Sequence, residues 1–447
     1  GLLLSCAFPP VGKWYLAPLA LAAHMYALNR SKRKALSILV FSFTFSAFLL
    51  HWTSIYVGST PWIILVVGLS FLYLPLILVK RWGIASYPLL FVIGEEIRNR
   101  FPFGGFGWGR IAYSQADAPY ANIAYYGGAV AISAITTAIA LFIFTLSQKS
   151  FKPTLLFPLL LLLIPFNIVS QNQTDVLMVQ GNVPQYGLDF NSRATQVFYN
   201  HVKETNKALA EKRNVDFILW PENAVDVDPF KNETVTSELN RFEIPLIIGA
   251  IVDNNAKTFN TSILWNKNGT ELYAKQHLTP FGEYIPLRSI AKTISPLADQ
   301  VEDFSAGNQS KIFTIGKAKV APVICYELID DSILEKAAKS SNLLAVQTNS
   351  ATFGRSAESA QQLSITRIRA IEHSRNIASV STTGYSAIVN YRGEILQKTS
   401  MGTAEHMYAS VGLIDSNSVR DRLGDWAMIF TLIWLLFIAR RTHVIRR

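Results

Sequence analysis

Long uninterrupted apolar runs are the feature that most restricts how this chain can fold. A run of about 18 apolar residues is long enough to cross a bilayer as a helix. Runs that reach or approach this pattern lie at residues 1–7, 14–29, 35–52, 60–79, 83–97, 120–147, 153–169 and 426–439. We therefore predict a polytopic α-helical membrane bundle of about eight spans, with seven of them before residue 170 and the first cut short where this sequence begins.

The basic residues are placed as they are in membrane proteins. The chain carries 41 Lys and Arg against 31 Asp and Glu, for a net charge of +10. The basic clusters lie at 30–34, 80–81, 149–152 and 440–447, at the ends of apolar runs on alternate connections. Because cytoplasmic loops are enriched in Lys and Arg, this pattern predicts that both termini are cytoplasmic and that residues 170–423 lie outside. A nucleic-acid surface would need a contiguous basic patch, so we expect no nucleic-acid partner.

Past residue 170 the composition changes, and short strand-like runs alternate with helix-like ones. The predicted strands are 176–179, 216–219, 245–252, 261–265, 319–324, 343–348, 377–382 and 386–390, and the predicted helices are 191–213 and 358–375. This alternation is typical of a layered α/β domain. We predict three parts: a transmembrane bundle at 1–170, an extracytoplasmic α/β domain at 171–423, and a transmembrane helix with a basic cytoplasmic tail at 424–447.

Three residues of the α/β domain stand where strands end and carry usable chemistry. Glu222 follows a Trp-Pro pair, Lys275 precedes a loop, and Cys325 follows its own strand. A cysteine attacks as the thiolate, a base can take its proton, and a cation can stabilise charge that develops on a carbonyl oxygen. Each residue also has an ordinary interpretation, as a buried small side chain, a loop carboxylate and a solvated lysine. Cys6, the other cysteine, lies in an apolar run, so we expect no disulfide.

The motifs around these residues resemble a known family. They are Trp-Pro-Glu at 220–222, Lys-x-His-Leu-x-Pro-Phe-Gly-Glu at 275–283, Ile-Cys-Tyr-Glu at 324–327, Val-Gln-Gly-Asn-Val-Pro-Gln at 179–185, Phe-Gly-Trp at 106–108 and Arg-Ile-Arg-Ala-Ile-Glu at 367–372. The first three of these motifs, in this order along the chain, resemble the nitrilase superfamily. The apolar runs on both sides narrow the resemblance to the apolipoprotein N-acyltransferase family, whose catalytic domain is an α-β-β-α sandwich on the outer face of a membrane bundle.

The resemblance assigns a role to each site residue. It implies a catalytic triad of Glu222, Lys275 and Cys325, with Glu222 as general base and Cys325 as nucleophile. Lys275 would hold the oxyanion together with the backbone N–H of Tyr326. Glu283 would orient the lysine, and Tyr326 and Glu327 would support the nucleophile's loop.

The resemblance also implies the reaction. An acyl chain passes from a membrane phospholipid to Cys325 as a thioester, and then to the α-amino group of the diacylglyceryl-modified N-terminal cysteine of an apolipoprotein. The enzyme would lie in the bacterial cytoplasmic membrane and use no cofactor. It would also use no metal, because His277, His373 and His406 show no ligand spacing. The alternatives are a membrane-tethered amidase that uses water as acceptor and an inactive nitrilase-type binding module.

Four further segments carry expectations. Phe190 stands near a position where the family often has Trp, and residues 349–354 depart from the family pattern Asn-Asp-Ala-Trp-Phe-Gly, so both bear on acyl-donor and acceptor preference. Residues 285–297 mix apolar and basic side chains and are predicted to form a lid or membrane-contact arm. Glu95 and Glu96 end an apolar run, and we expect them to pair with Arg98 and Arg100 in a structural role.

Overall fold

The chain folds as two units, seen here in a computed structural model that describes residues 1–149, 167–183, 195–255, 257–289, 292 and 303–444. One unit comprises residues 1–54, 58–167 and 418–447, and the other comprises 55–57 and 168–417. The first unit is helical, whereas the second is built on two β-sheets.

The helical unit follows the predicted apolar runs closely. Its described helices are α1 (Leu2–Ser5), α2 (Leu16–Arg30), α3 (Lys34–Leu49), α4 (Thr53–Val57, which runs into the other unit), α5 (Ser59–Phe71), α6 (Val79–Trp82), α7 (Tyr87–Arg98), α8 (Ala124–Ser147), and later α13 (Val419–Leu423) and α14 (Trp426–Val444). Two of the described helical segments are long and apolar enough to cross a membrane, Ser59–Trp82 and Ala121–Ser147. The predicted run at 153–169 lies almost wholly outside the described residues.

Glu95 and Glu96 are buried at the end of α7 and paired with arginines. Glu95 Oε1 lies 3.9 Å from Arg98 Nη2, and Glu96 contacts both Arg100 and Arg110. The expected pairing with Arg98 and Arg100 is therefore confirmed. Arg110, at 1% exposure, is an additional partner that lies fourteen residues from Glu96, beyond the reach of local spacing arguments.

Two six-stranded sheets form the centre of the α/β unit. The strands are β1 (Asn172–Gln180), β2 (Phe217–Leu219), β3 (Leu246–Asn254), β4 (Lys257–Asn266), β5 (Gly269–Ala274), β6 (Phe313–Ile315), β7 (Ala318–Ile324), β8 (Leu343–Thr348), β9 (Ile377–Ser381), β10 (Ala387–Val389), β11 (Ile395–Lys398) and β12 (Glu405–Leu413). Their order is β12-β1-β2-β3-β4-β5 in one sheet and β11-β10-β9-β8-β7-β6 in the other. The described helices of the unit are α9 (Gln196–Leu209), α10 (Glu233–Leu239), α11 (Asp331–Ser340) and α12 (Glu358–His373).

Alternate side chains of a central strand point to opposite faces of the sheet, so one strand contributes to two hydrophobic cores. On β1, Val176 and Met178 belong to the cluster shared by both sheets, whereas Leu177 and Val179 pack with residues of α9 and α10. This is the period-2 alternation of a strand that is covered on both faces. Helices α11 and α12 pack against the second sheet. The unit is therefore the predicted nitrilase-like α-β-β-α sandwich.

All eight predicted strands of the α/β domain exist, but several elements were not predicted. β1 extends back through residues 172–175, because each residue of β1 pairs antiparallel with β12. Strands β5, β6, β11 and β12 and helices α10 and α11 had no counterpart in the prediction. These elements are short or partly exposed, and β11 is exposed along its whole length, so they lack the apolar runs on which the prediction depended.

Candidate active site

Glu222 lies just beyond β2, where the chain leaves the first sheet. Trp220 is fully buried and its backbone N–H still bonds to Ile247, whereas Pro221 has no N–H to continue the ladder. Gly249 on β3 allows the turn to approach closely, because a Cβ at this position would lie 2.6 Å from Glu222 Cα. The Glu222 side chain is consequently held inward, at 4% exposure.

Lys275 directly follows β5 and turns its ammonium group into the same buried space. Its Nζ lies 3.2 Å from Glu222 Oε1 and 2.8 Å from Glu283 Oε2. Glu283 comes from the loop that follows, where the Thr279 backbone N–H donates to its Oε2 at 2.7 Å. One buried cation thus sits between two buried carboxylates, an arrangement that offsets part of the cost of taking these charges out of water.

Asn260 on β4 is a member of this cluster that the sequence analysis missed. Its side-chain amide donates to Glu222 Oε1 at 2.7 Å and to Glu283 Oε1 at 2.6 Å. The backbone carbonyl of Asn260 accepts from the Lys275 backbone N–H at 2.9 Å. Asn260 therefore ties all three charged residues together, although nothing in the local sequence distinguishes it from a surface asparagine of a hairpin.

Burial and charge shift the pKa values of the three groups in different directions. Burial raises the pKa of Glu222, and the nearby Glu283 charge acts the same way, against the opposing effect of Lys275. For Glu283, burial is outweighed by Lys275 and by hydrogen bonds, so its pKa is lowered. For Lys275, burial is outweighed by the carboxylates of Glu222 and Glu283, which raise its pKa. Lys275 therefore stays a cation, and Glu222 is the more readily protonated carboxylate.

Cys325 stands where β7 ends and a short 3-10 helix, Cys325–Ile329, begins. Its φ is +49°, in the left-handed region that non-glycine residues rarely occupy. The Sγ atom lies 3.7 Å from Nε2 of Gln362 on α12. Burial raises the pKa of the thiol, Glu222 raises it further, and Lys275 lowers it. The free thiol is therefore protonated and needs a base before it can attack.

Glu327 links the nucleophile's loop to the Lys275 segment. Its Oε1 accepts from Tyr273 Oη at 2.7 Å and from the Gln276 backbone N–H at 2.6 Å, and its Oε2 accepts from the Ile324 backbone N–H at 2.7 Å. Tyr326 is buried against the ring of His277. The structure thus brings all six predicted residues into one region of the α/β unit, three around the ammonium group and three on the cysteine loop.

Other predicted features are only partly covered by the described residues. Phe190 lies outside them, as does most of 285–297. In the described part of that segment, Arg288 pairs with Asp303, and Leu287 is 60% exposed. Across the described ranges, no group of three or more His, Cys, Asp or Glu residues is placed to hold a metal ion.

The sandwich and its Glu, Lys and Cys side chains define the carbon–nitrogen hydrolase class. The family model for carbon–nitrogen hydrolases matches residues 178–421, and the model for the apolipoprotein N-acyltransferase N-terminal domain matches residues 1–142. The chain belongs to the apolipoprotein N-acyltransferase family.

Individual relatives span most of the chain. It is 32% identical to the apolipoprotein N-acyltransferase of Mycolicibacterium smegmatis, over 89% of this chain and 76% of that protein. It is 25% identical to that of Photobacterium profundum, over 98% and 93% respectively. Among solved structures, it is similar to an amidase from Nesterenkonia sp. with a TM-score of 0.43 and 15% identity, covering 59% of this chain and 99% of that one.

Proposed function

We propose that this protein transfers an acyl chain from a membrane phospholipid to the α-amino group of a diacylglyceryl-modified N-terminal cysteine of an apolipoprotein, through a thioester on Cys325. The observation that carries the proposal is the buried ammonium of Lys275 between Glu222 and Glu283, in the domain that holds Cys325. Similarity to N-acyltransferases over both the helical and the α/β parts of the chain supports it.

In the first half of the reaction, Glu222 takes the proton of the Cys325 thiol. The sulfur attacks the ester carbonyl carbon of the phospholipid, and negative charge develops on the carbonyl oxygen. Lys275, with the Tyr326 backbone N–H, stabilises that oxyanion. The ester C–O bond then breaks, and Glu222 returns its proton to the departing oxygen of the lysophospholipid.

In the second half, the acceptor's amine attacks the thioester carbonyl carbon. A C–N bond forms and the C–S bond breaks, and the proton that the nitrogen loses passes through Glu222 to the sulfur, so the Cys325 thiol is regenerated as the amide leaves. Glu283 keeps Lys275 charged and oriented, while Tyr326 and Glu327 hold the nucleophile's loop in place. No cofactor or metal takes part in either half.

The lipid substrates explain why a nitrilase-type domain is joined to apolar helices. We propose that residues 1–170 and 424–447 form a bundle of about eight spans in the bacterial cytoplasmic membrane, with 171–423 as the extracytoplasmic catalytic domain. Residues 285–297 would contact the lipid surface beside the site and exclude water from the thioester. Single-cysteine labelling tests this topology: Ser31→Cys, in a chain without Cys6 and Cys325, should resist an impermeant reagent in intact cells.

The covalent intermediate is the direct test of the reaction. After incubation of the full chain with phospholipid alone, mass spectrometry should find one acyl group on Cys325, released by neutral hydroxylamine. Cys325→Ala should carry none and Glu222→Gln very little, whereas Cys6→Ala, the matched control, should acylate like the natural chain. An acyl group on any other residue would refute the assignment of the nucleophile.

The acceptor distinguishes a transferase from a membrane-tethered amidase. A peptide with a diacylated N-terminal cysteine should discharge the thioester rapidly, with the acyl group recovered on its amine. Acetylation of that amine should abolish the transfer. If free fatty acid is the main product whatever acceptor is present, water is the acceptor and the amidase function is the correct one.

A further inference from the structure

A further buried carboxyl group, outside the cluster of Glu222, Glu283 and Lys275, lies close enough to Cys325 for its charge to act on the thiol. Glu358 is the first residue of α12 and is 2% exposed. The Ser350 hydroxyl lies close enough to the carboxyl group to lower its pKa. The Oε2 atom of Glu358 is buried and has no hydrogen-bond partner among the residues that the structure describes. An unsatisfied buried carboxylate oxygen is costly, and in a native protein it calls for a ligand or a function.

Glu358 lies on the same face of α12 as Gln362, which contacts the nucleophile. Gln362 stands one helical turn later and reaches Cys325 Sγ at 3.7 Å. Residues four apart lie on the same face of a helix, so Glu358 faces the same space. The charge of Glu358 accordingly acts on the Cys325 thiol, and that of Glu222 acts on Glu358.

We propose that Glu358 binds the α-amino group of the incoming acceptor and takes its proton, so that it serves the second half of the reaction as Glu222 serves the first. This inference rests on the proposed function. In this proposal, Oε2 of Glu358 accepts a hydrogen bond from the ammonium group of the acceptor, which offers three hydrogen-bond donors and a positive charge. Glu222 is less suited to this task, because one of its oxygens already accepts from both Asn260 and Lys275.

The electrostatics favour Glu222 as the base of the first half of the reaction and Glu358 as the base of the second half. A negative charge on Glu358 opposes formation of the Cys325 thiolate, and this conflict disappears once the sulfur is acylated. Burial, with the nearby charge of Glu222, raises the pKa of Glu358 to about 8. An α-amino group has a pKa of about 7.7–8.0, so a proton can pass between the two groups at little cost.

The acceptor ammonium displaces the carboxyl proton of Glu358 to solvent, and the pair then holds an ammonium and a carboxylate. Glu358 takes one ammonium proton, and the freed lone pair attacks the thioester carbonyl carbon. The C–N bond forms and the C–S bond breaks. The second nitrogen proton passes through Glu222 to the sulfur of Cys325, which leaves an amide and a free thiol.

Single-turnover kinetics on the full-length enzyme separate the two halves. In Glu358→Gln, phospholipid should acylate Cys325 at least as fast as in the natural chain, which also shows that the variant is folded. Discharge of the isolated thioester by the diacylated peptide at neutral pH should slow by roughly 100-fold, the usual worth of a positioned acid–base group. Glu394→Gln, which removes an exposed carboxylate that accepts from Asn390, is the control and should behave normally in both halves.

Two further readouts exclude a purely structural role. Hydroxylamine is uncharged at neutral pH, so it should discharge the Glu358→Gln thioester as fast as the natural one. The titratable groups that act on Glu358 within the described residues are Glu222 and Cys325, and Cys325 is acylated in this experiment. Because Glu358→Gln cannot take the amine's proton, only acceptor that is already deprotonated should react. The rate of the variant with peptide should then rise about tenfold per pH unit up to the pKa of the amine. Ser350→Ala, which frees the carboxyl group, should give a smaller loss confined to the same step.

The outcomes are distinct. If the natural chain forms no thioester on Cys325, the proposed function fails. If the thioester forms and Glu358→Gln passes its acyl group to the peptide at the natural rate, the role of Glu358 is refuted while the proposed function stands. The same conclusion follows if the variant slows acylation as much as discharge, or slows discharge by hydroxylamine as much as discharge by the peptide.

Discussion

Lys275 Nζ lies 2.8 Å from Glu283 Oε2, closer than it lies to the proposed base Glu222 at 3.2 Å. The ammonium group is therefore held chiefly by a carboxylate whose own pKa is lowered by that contact and by hydrogen bonds. This leaves Glu222, whose pKa is raised, as the carboxylate that can accept and release a proton. The two glutamates thus have different tasks because their surroundings differ.

The Lys275–Glu283 pair should stabilise the fold as well as the site. Glu283→Gln should lower the free energy of unfolding by about 2–3 kcal/mol, somewhat less than for a buried charge left alone, because Glu222 still pairs with Lys275. Lys275→Met should cost more, since it leaves two carboxylates facing each other. Denaturant titration of the detergent-solubilised chain measures both. Glu271→Gln removes a half-exposed partner of Lys311 and should cost at most about 0.5 kcal/mol; an equal loss in this control would contradict the argument.

Asn260 sets the charge balance between the two glutamates. Asn260→Asp replaces a shared donor with a third carboxylate, which should raise the pKa of Glu222 further. Because a base with a higher pKa is protonated at higher pH, the acid limb of the pH–rate profile for thioester formation should move to higher pH. Stopped acylation assays across the pH range measure this shift. Asn268→Asp in the exposed turn after β4 should leave the profile in place, and an unmoved profile in Asn260→Asp would show that Glu222 is not the group that titrates.

The sequence motifs predicted the reactive and charged residues of the triad, but not the residues that position them. Glu222, Lys275 and Cys325 follow strands and stand in motifs, so their types and positions were informative. Asn260 acts through two side chains that are 38 and 23 residues away in sequence, and the pairing of β2 to β5 in one sheet brings them together. Glu358 has the same local pattern as any acidic residue in the first turn of a helix. Its burial accompanies the packing of α12 against the 3-10 helix that begins at Cys325, which periodicity does not encode.

The same contrast holds for the fold. Long apolar runs predicted the helices of the first unit, and short apolar runs predicted the covered strands of the sandwich. β12 was missed because its first four residues are only partly buried, although it pairs with β1 along nine residues. The number of membrane crossings stays a prediction, because two of the described helical segments meet the length and hydropathy expected of a span.

The backbone of Cys325 should be strained by its own side chain. At φ +49°, a non-glycine residue costs roughly 1–2 kcal/mol, whereas glycine costs about 0.5–1 kcal/mol in unfolded-state entropy. Cys325→Gly should therefore be about 0.5–1 kcal/mol more stable than Cys325→Ala, with both variants inactive. Denaturant titration compares the two. Ala337→Gly, within helix α11, should show the opposite order, with a loss of about 1 kcal/mol; the same order at both positions would rule out strain at the nucleophile.

Glu358 should make the stability of the protein fall as the pH rises. Burial raises the pKa of this carboxyl group from 4.5 to about 8, so between these values the folded chain holds a proton that the unfolded chain has released. Folding then loses about 1.36 kcal/mol per pH unit, or roughly 5 kcal/mol over the whole window. In Glu358→Gln this contribution is absent, so the difference in free energy of unfolding between variant and natural chain should grow in the variant's favour from pH 5 to pH 8 and then level off. Denaturant titrations at a series of pH values measure it. Glu243→Gln, whose side chain is 83% exposed, should run parallel to the natural chain, and a Glu358→Gln curve equally parallel would show that this carboxyl group is not held neutral by burial.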